Sequence, residues 1–149
     1  MFECWTDGSY QPSSNTGGWA VIITKNGEII KKLYRGYKNS TNNRMELLGV
    51  LECLKFFDNS EKITIYSDSQ YVVSSINNNH VFKWIAENDL SKKNMDLWKE
   101  ICIYLTKHNV TFVWVKGHNN NKFNELADLY ATHAANCLNL LEDNGSIQD

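Results

Sequence analysis

Thr41-Asn42-Asn43-Arg44-Met45-Glu46-Leu47 is the stretch from which the fold can be read. Three polar residues suited to ending a loop are followed by Leu47, Leu48, Val50, Leu51, Leu54, Phe56 and Phe57, apolar at roughly helical spacing. Asn42 or Asn43 can accept from the free amides of the turn that follows, so a helix is expected to start near Asn42 and to end near Asp58-Asn59-Ser60. That places Glu46 on the first turn, four residues after Asn42 and on the same face. A first-turn Glu is ordinary, and by itself reads as a solvated residue. Whether it does more depends on the other acids.

Working outward, three β-rich segments precede this helix. Phe2–Thr6 is short and aromatic and runs into Asp7-Gly8-Ser9, and Tyr10 to Thr16 is turn material. Trp19–Thr24 and Glu28–Tyr37 flank Asn26-Gly27, a strong hairpin signal. After the helix, Lys62–Asp68 reads as a strand parallel to the first, and it too ends in an aspartate. Ser69 or Asp68 would cap a helix through Val72, Val73 and Ile76. Further helices are expected at Val81–Ala86, at Met95–Lys107 and from near Asn124, with a strand at Val110–Val115. The order β-β-β-α-β-α-α-α-β-α predicts an α/β fold: a mixed five-stranded sheet, three strands antiparallel and then two parallel, flanked by helices. Residues 1–141 form one domain in this reading, and the polar tail 142–149 is expected to fray.

A chain of 149 residues can bury a sizeable single core. No apolar run is long enough to span a bilayer, and Glu3, Asp7 and a Gly/Ser/Asn stretch interrupt any signal peptide, so no membrane role and a cytoplasmic location are expected. Cys4, Cys53, Cys102 and Cys137 lie far apart in apolar segments, which favours buried free thiols over disulfides or zinc. The net charge of −2 does not announce a nucleic-acid binder. A site built from carboxylates would itself lower that count. Trp19, Trp98 and Trp114 read as core.

Asp7, Glu46, Asp68 and Asp128 lie at ends of elements that could reach one edge of the sheet, and Asp7 and Asp68 fall at the carboxyl ends of strands, where open α/β sheets bind ligands. Four carboxylates within a few ångströms cannot all stay ionised without cations between them. Such oxygen-rich sites suit Mg²⁺ or Mn²⁺ and in-line displacement at phosphorus. Spacing alone leaves the other reading open: Asp-Gly-Ser is a common turn, Ser-Asp-Ser a common cap, and Asp128 could be a surface residue.

The surroundings of the acids decide between these. Trp5-Thr6-Asp7-Gly8-Ser9, Thr41 to Leu47, Tyr66-Ser67-Asp68-Ser69-Gln70-Tyr71, Trp114-Val115-Lys116-Gly117-His118 and Asn124-Glu125-Leu126-Ala127-Asp128 occur in this order. With Lys93-Asn94-Met95-Asp96-Leu97-Trp98, they closely resemble the type 1 ribonuclease H family from about Phe2 to Ala135. The resemblance implies endonucleolytic cleavage of the RNA strand of RNA–DNA hybrids, using two Mg²⁺ ions (Mn²⁺ able to substitute) and leaving 5′-phosphate and 3′-hydroxyl ends. By position, Asp7 would bridge both ions, Glu46 and Asp68 would complete the shell of one, and Asp128 would hold the other. His118 matches a loop histidine that assists proton movement or product release. Asn42, Asn43 and Gln70 match readers of the RNA minor-groove edge or backbone, a task suited to amides that both donate and accept. Thr41 matches a contributor to a DNA-phosphate pocket, Tyr71 and Trp84 match aromatics of the DNA-strand groove, and Gly8 and Ser9 flank the first acid as substrate contacts. The hybrid is the expected partner of a monomeric enzyme.

The sequence departs from the family pattern at several points. Between Trp84-Ile85 and Lys93-Asn94 it is short and carries Glu87 and Asp89, where many members have a basic protrusion. That absence predicts weaker, more salt-sensitive binding. Nor is a hybrid-binding module expected before the first strand, which begins at residue 2. Asn39 stands where an arginine often supports the phosphate pocket, Asn88 where a second groove tryptophan often lies, Ser13 for a frequent asparagine and Asn120 for a glycine. Two other readings differ in kind. An integrase- or resolvase-like nuclease would share the early aspartates but not the acid after the third strand with Lys-Gly-His. A non-catalytic hybrid-binding domain would be expected to have lost acids, and all four are present.

Overall fold

The computed structural model describes residues 1–89, 91–117, 121–143 and 145. Its axis is β1 (Phe2–Gln11), which pairs antiparallel with β2 (Thr16–Lys25) on one side and parallel with β4 (Lys62–Ser67) on the other. β2 continues into β3 (Glu28–Lys38) through Asn26-Gly27, whose φ angles of 53° and 80° are the double left-handed turn that matches the twist of a hairpin. β5 (Asn109–Trp114) lies parallel to β4, so the sheet runs β5-β4-β1-β2-β3. This is the mixed sheet expected. A sixth strand, β6 (Leu141–Glu142), adds to its far edge by pairing parallel with Tyr37 and Lys38. Two residues carry no periodicity to read, which is why the sequence showed five strands. The fraying expected from residue 142 also starts too early: Glu142 is in this ladder and Asp143 is only 6% exposed.

Helix α1 (Asn42–Lys55) lies between the sheet and α4 (Met95–Lys107), and so is buried almost all round, from Arg44 through Leu51 and again at Cys53 and Leu54. The apolar stripe of α1 meets Val21, Ile23, Ile63, Ile65, Trp98 and Ile101 in the main core. α2 (Gln70–Asn77) and α3 (His80–Ala86) close one end of that core with Val72, Val73, Ile76 and Val81. On the opposite face, α5 (Lys122–Ala135) packs Ala127, Ala131, Ala134 and Ala135 onto the sheet. A Cβ on Gly18 or Gly36 would collide with the α5 backbone, so small residues on both sides let this helix come close. Trp5 stacks on Tyr66 at 4.6 Å and fills the smaller core beneath α5 with Ile22 and Phe123.

Cys4 and Cys53 are buried with their thiols hydrogen-bonded to each other, while Cys102 and Cys137 are only half-buried; all four are free. Trp19 and Trp98 are core as expected, but Trp114 is 45% exposed. It ends the edge strand β5 at the rim of the sheet, and its indole N–H donates to the Asp68 carbonyl at 3.2 Å. Among the described residues, no helix is long and apolar enough to cross a membrane.

Candidate active site

Asp7 does not end its strand, as the turn-like Asp-Gly-Ser suggested. The ladder to β2 continues past it, from Asp7↔Ala20 to Gln11↔Thr16. What stops is the parallel ladder to β4, whose last pair is Trp5↔Tyr66. Two residues beyond that pair lie Asp7 on one strand and Asp68 after the other, so the sheet splits between them. Capping of α2 falls to Ser69, whose hydroxyl accepts from Val72 N at 3.3 Å, and not to Asp68. Gly117 lies against Asp68: a Cβ there would be 3.0 Å from Asp68 Oδ2.

The α1 cap also differs from expectation. Thr41, in extended backbone, accepts from Arg44 N at 3.2 Å, so the helix starts at Asn42 and Glu46 falls on its second turn. Asn42 and Asn43 stay exposed. They lack the extended backbone of a capping residue, which is what the hydroxyl of Thr41 supplies one position earlier. Glu46 is 6% exposed, pressed against β1 where Gly8 leaves room for it.

One oxygen from each of Asp7, Glu46 and Asp68 lies within 4.8 Å of the others. Burial first, and then repulsion from Glu46, Asp68 and Asp128, pushes the Asp7 carboxyl up to about 10; a hydrogen bond with Asp128 acts in the same direction. Burial and the charge of Asp68 push Glu46 up to about 8, against opposing hydrogen bonds with the Asp7 side chain and, more weakly, the Gly8 backbone. Asp128, half-buried on α5, therefore faces the same cluster from the opposite layer. Glu46 Oε1 is buried without a hydrogen-bond partner. A buried carboxylate oxygen with no donor is costly unless a cation fills that place, and an all-oxygen set fits a hard divalent ion.

Around this cluster the expected contact residues divide by exposure. Gly8 and Ser9 lie on β1, with Ser9 Oγ accepting from Thr132 of α5 at 3.5 Å. Gln70 is exposed at the start of α2. Asn43, Tyr71 and Trp84 line one cavity of about 260 Å³ with Lys92, Lys93 and Asn94. Tyr71 Oη accepts from Trp98 Nε1 at 3.0 Å and Asn94 Nδ2 at 3.2 Å, which fixes the ring in place. Trp84 is half-buried: it packs against the main core on one side, and Lys92 Nζ stands 5.2 Å above its ring. Lys92 and Lys93 line this cavity although the sequence reading assigned neither a role at the site; their place beside Asn94 was the signal. His118 lies outside the described residues.

With this geometry, the comparisons with known proteins agree. The family model for RNase H matches residues 2–136. The chain belongs to the RNase H family. It is 42% identical over 147 residues to the ribonuclease H of Pseudoalteromonas translucida, covering 96% of this chain and 95% of that protein. The ribonuclease H of Caldicellulosiruptor saccharolyticus is 41% identical over 130 residues, or 83% and 88% of the two chains. Among solved structures, LC9-RNase H1, a type 1 RNase H with the type 2 active-site motif, superposes with a TM-score of 0.78 at 26% identity, over 90% of this chain and 71% of that one. An amino-terminal RNase H domain from Mycobacterium tuberculosis shares the fold with a TM-score of 0.71 at 17% identity, over 90% and 92% of the two chains. As an RNase H this protein is an enzyme, a nuclease of the hydrolase class.

Proposed function

We propose that this ribonuclease H cuts the RNA strand of RNA–DNA hybrids endonucleolytically, leaving 5′-phosphate and 3′-hydroxyl ends. The observation that carries the reading is the orphaned Glu46 oxygen inside a cluster of mutually repelling carboxylates. Asp7, Glu46, Asp68 and Asp128 would hold two Mg²⁺ ions, or Mn²⁺ in their place, which supply activation of water and neutralisation of charge on the leaving oxygen. Asp7 would be the member shared by both ions, consistent with its interaction with all three other acids. The Thr41 hydroxyl accepts from Arg44 N, which leaves its hydrogen to donate to a DNA phosphate. The exposed amides of Asn42, Asn43 and Gln70 take the 2′-hydroxyl side of the hybrid, while Tyr71, Trp84 and Lys92 wall the DNA strand. Gly8 and Ser9 approach the RNA backbone beside Asp7. His118, four residues before the start of α5 in the sequence, would move a proton or release product. Every acid comes from one chain, so a monomer suffices, and four free thiols fit a reducing compartment such as the cytoplasm.

The test is cleavage of a strand-labelled hybrid with Mg²⁺ by wild type and Asp68→Asn. Cuts confined to the RNA strand, absent in a variant that still binds hybrid, sustain the reading. Cleavage of plain duplex DNA would favour an integrase- or resolvase-like nuclease. Hybrid binding with no cleavage in Mg²⁺ or Mn²⁺ would reduce the protein to a binding domain.

A further inference from the structure

Arg44 is 1% exposed, and its charge is met from two distant parts of the chain. Asp96 of α4 accepts from Nη2 at 2.7 Å and Nη1 at 3.0 Å, and Asp143 accepts from Nε at 2.8 Å and Nη2 at 3.2 Å. Asp143 Oδ2 also accepts from the Ser40 hydroxyl at 2.6 Å. Gly145 lies against the Arg44–Asp96 pair where a side chain has no room. Next to Asp143 in the chain, Glu142 accepts from Asn39 Nδ2 at 2.7 Å, and Asn39 Oδ1 in turn accepts from Asn15 of the β1–β2 turn. The segment after α5 thus binds residues 38–44 side chain by side chain, in addition to the β3–β6 ladder.

Buried ion pairs are weak evidence for stability, because desolvation offsets most of their Coulomb gain, but they specify geometry well when every group is satisfied. The geometry specified here is that of the β3–α1 connection, the loop 39–41 together with the first turn of α1. Its two ends are Asn39 and Arg44, and between them stand Thr41, Asn42 and Asn43. Glu46, by contrast, is held from the other side by its fit against Gly8 on β1. The reading loop and the acid cluster therefore have separate anchors. We propose that residues 141–143 form a strap that sets the substrate-reading loop, with Asp143 as a positioning residue acting through Ser40 and Arg44. What the loop reads rests on the hybrid assignment above; that the strap holds it does not.

The test uses the whole chain with Asp143→Asn, and with Ser40→Ala and Asn39→Gly as milder variants. Glycine keeps the left-handed backbone at position 39, where φ is 58°. In the free protein, amide exchange at residues 41–45 should quicken about tenfold in Asp143→Asn and a few-fold in the milder pair, with other core amides unmoved. Unchanged exchange there, or quickening spread across the whole chain, overturns the strap. Should Asp143→Asn fail to fold, the milder pair decides by the same criterion. On hybrid, KM should rise about tenfold for Asp143→Asn with kcat within twofold. A fall in kcat at unchanged KM would mean that Asp143 serves the acid cluster instead. If wild type cuts no hybrid, the functional reading fails and the exchange result still decides the strap.

Discussion

Gly8 sits so close beneath α1 that a Cβ on it would lie 2.5 Å from Glu46 N and 2.9 Å from Glu46 Oε1. The fit of a strand against a helix thereby sets the distance between two acids. Gly8→Ala must lift the start of α1 from β1, an overpacking that costs roughly 1–3 kcal/mol. Activity should fall further than stability, by about a hundredfold, since ångström errors at a reacting centre have effects of that order. Thermal melts beside cleavage rates will show it; equal, small losses in both would contradict it.

The metal-free acid cluster should make stability depend on pH in an unusual direction. The folded Asp7 and Glu46 carboxyls titrate near 10 and 8, against ordinary values of 3.8 and 4.5. Above about pH 4 the unfolded chain releases protons that the folded one keeps, so stability falls as pH rises, up to about 1.4 kcal/mol per pH unit for each proton held. The decline flattens once Glu46 and then Asp7 have ionised. Melting in chelator should drop between pH 5.5 and 9, and Mg²⁺ should restore more at the upper end. Asp7→Asn should flatten the slope, and a slope unchanged by that variant would refute the assignment.

Asn42 is exposed, whereas Glu46 four residues on is buried, so the amide can be removed without disturbing the acid. Asn42→Ala should leave the melting temperature within a degree or two and lower the preference for RNA over DNA by about tenfold, one or two hydrogen bonds' worth. Cleavage of chimeric strands with single ribonucleotides measures this directly.

Lys92 above Trp84 gives the cavity they line both a flat wall and a charge. Trp84→Ala should raise KM by about tenfold, from the loss of stacking and of the lysine's support. Lys92→Ala should weaken binding more evenly and reduce the salt slope of log K by about 1, as expected for one phosphate contact. Identical salt slopes for the variant and wild type would remove Lys92 from the interface.

Much of this was legible in the sequence because local signals agreed with the tertiary result. Asn26-Gly27 marked its turn, and Met95–Lys107 has the expected bounds, with Asn94 in left-handed backbone before it and His108 in extended backbone after it. The acids were found through the motifs around them, since spacing could not tell a notch in the sheet from a turn at Asp7. Thr41 was passed over as a cap because Asn42 and Asn43 are equally good cappers on propensity. Asp143 was illegible for a different reason. Its partner Arg44 is 99 positions away, and an acid in a polar tail carries no sign that it will be buried.

Among the described residues, the eleven of β3 meet β6 at Tyr37 and Lys38 alone, which leaves most of that edge without a described neighbouring strand. An open edge of that length is a template on which a second copy could add itself. Lys31 and Lys32 stand exposed along it, and the ladder to β2 is irregular at Ile23/Thr24, so a second copy would meet like charge on a twisted edge. Copies of the chain brought close together would therefore find a poor template there for adding a strand.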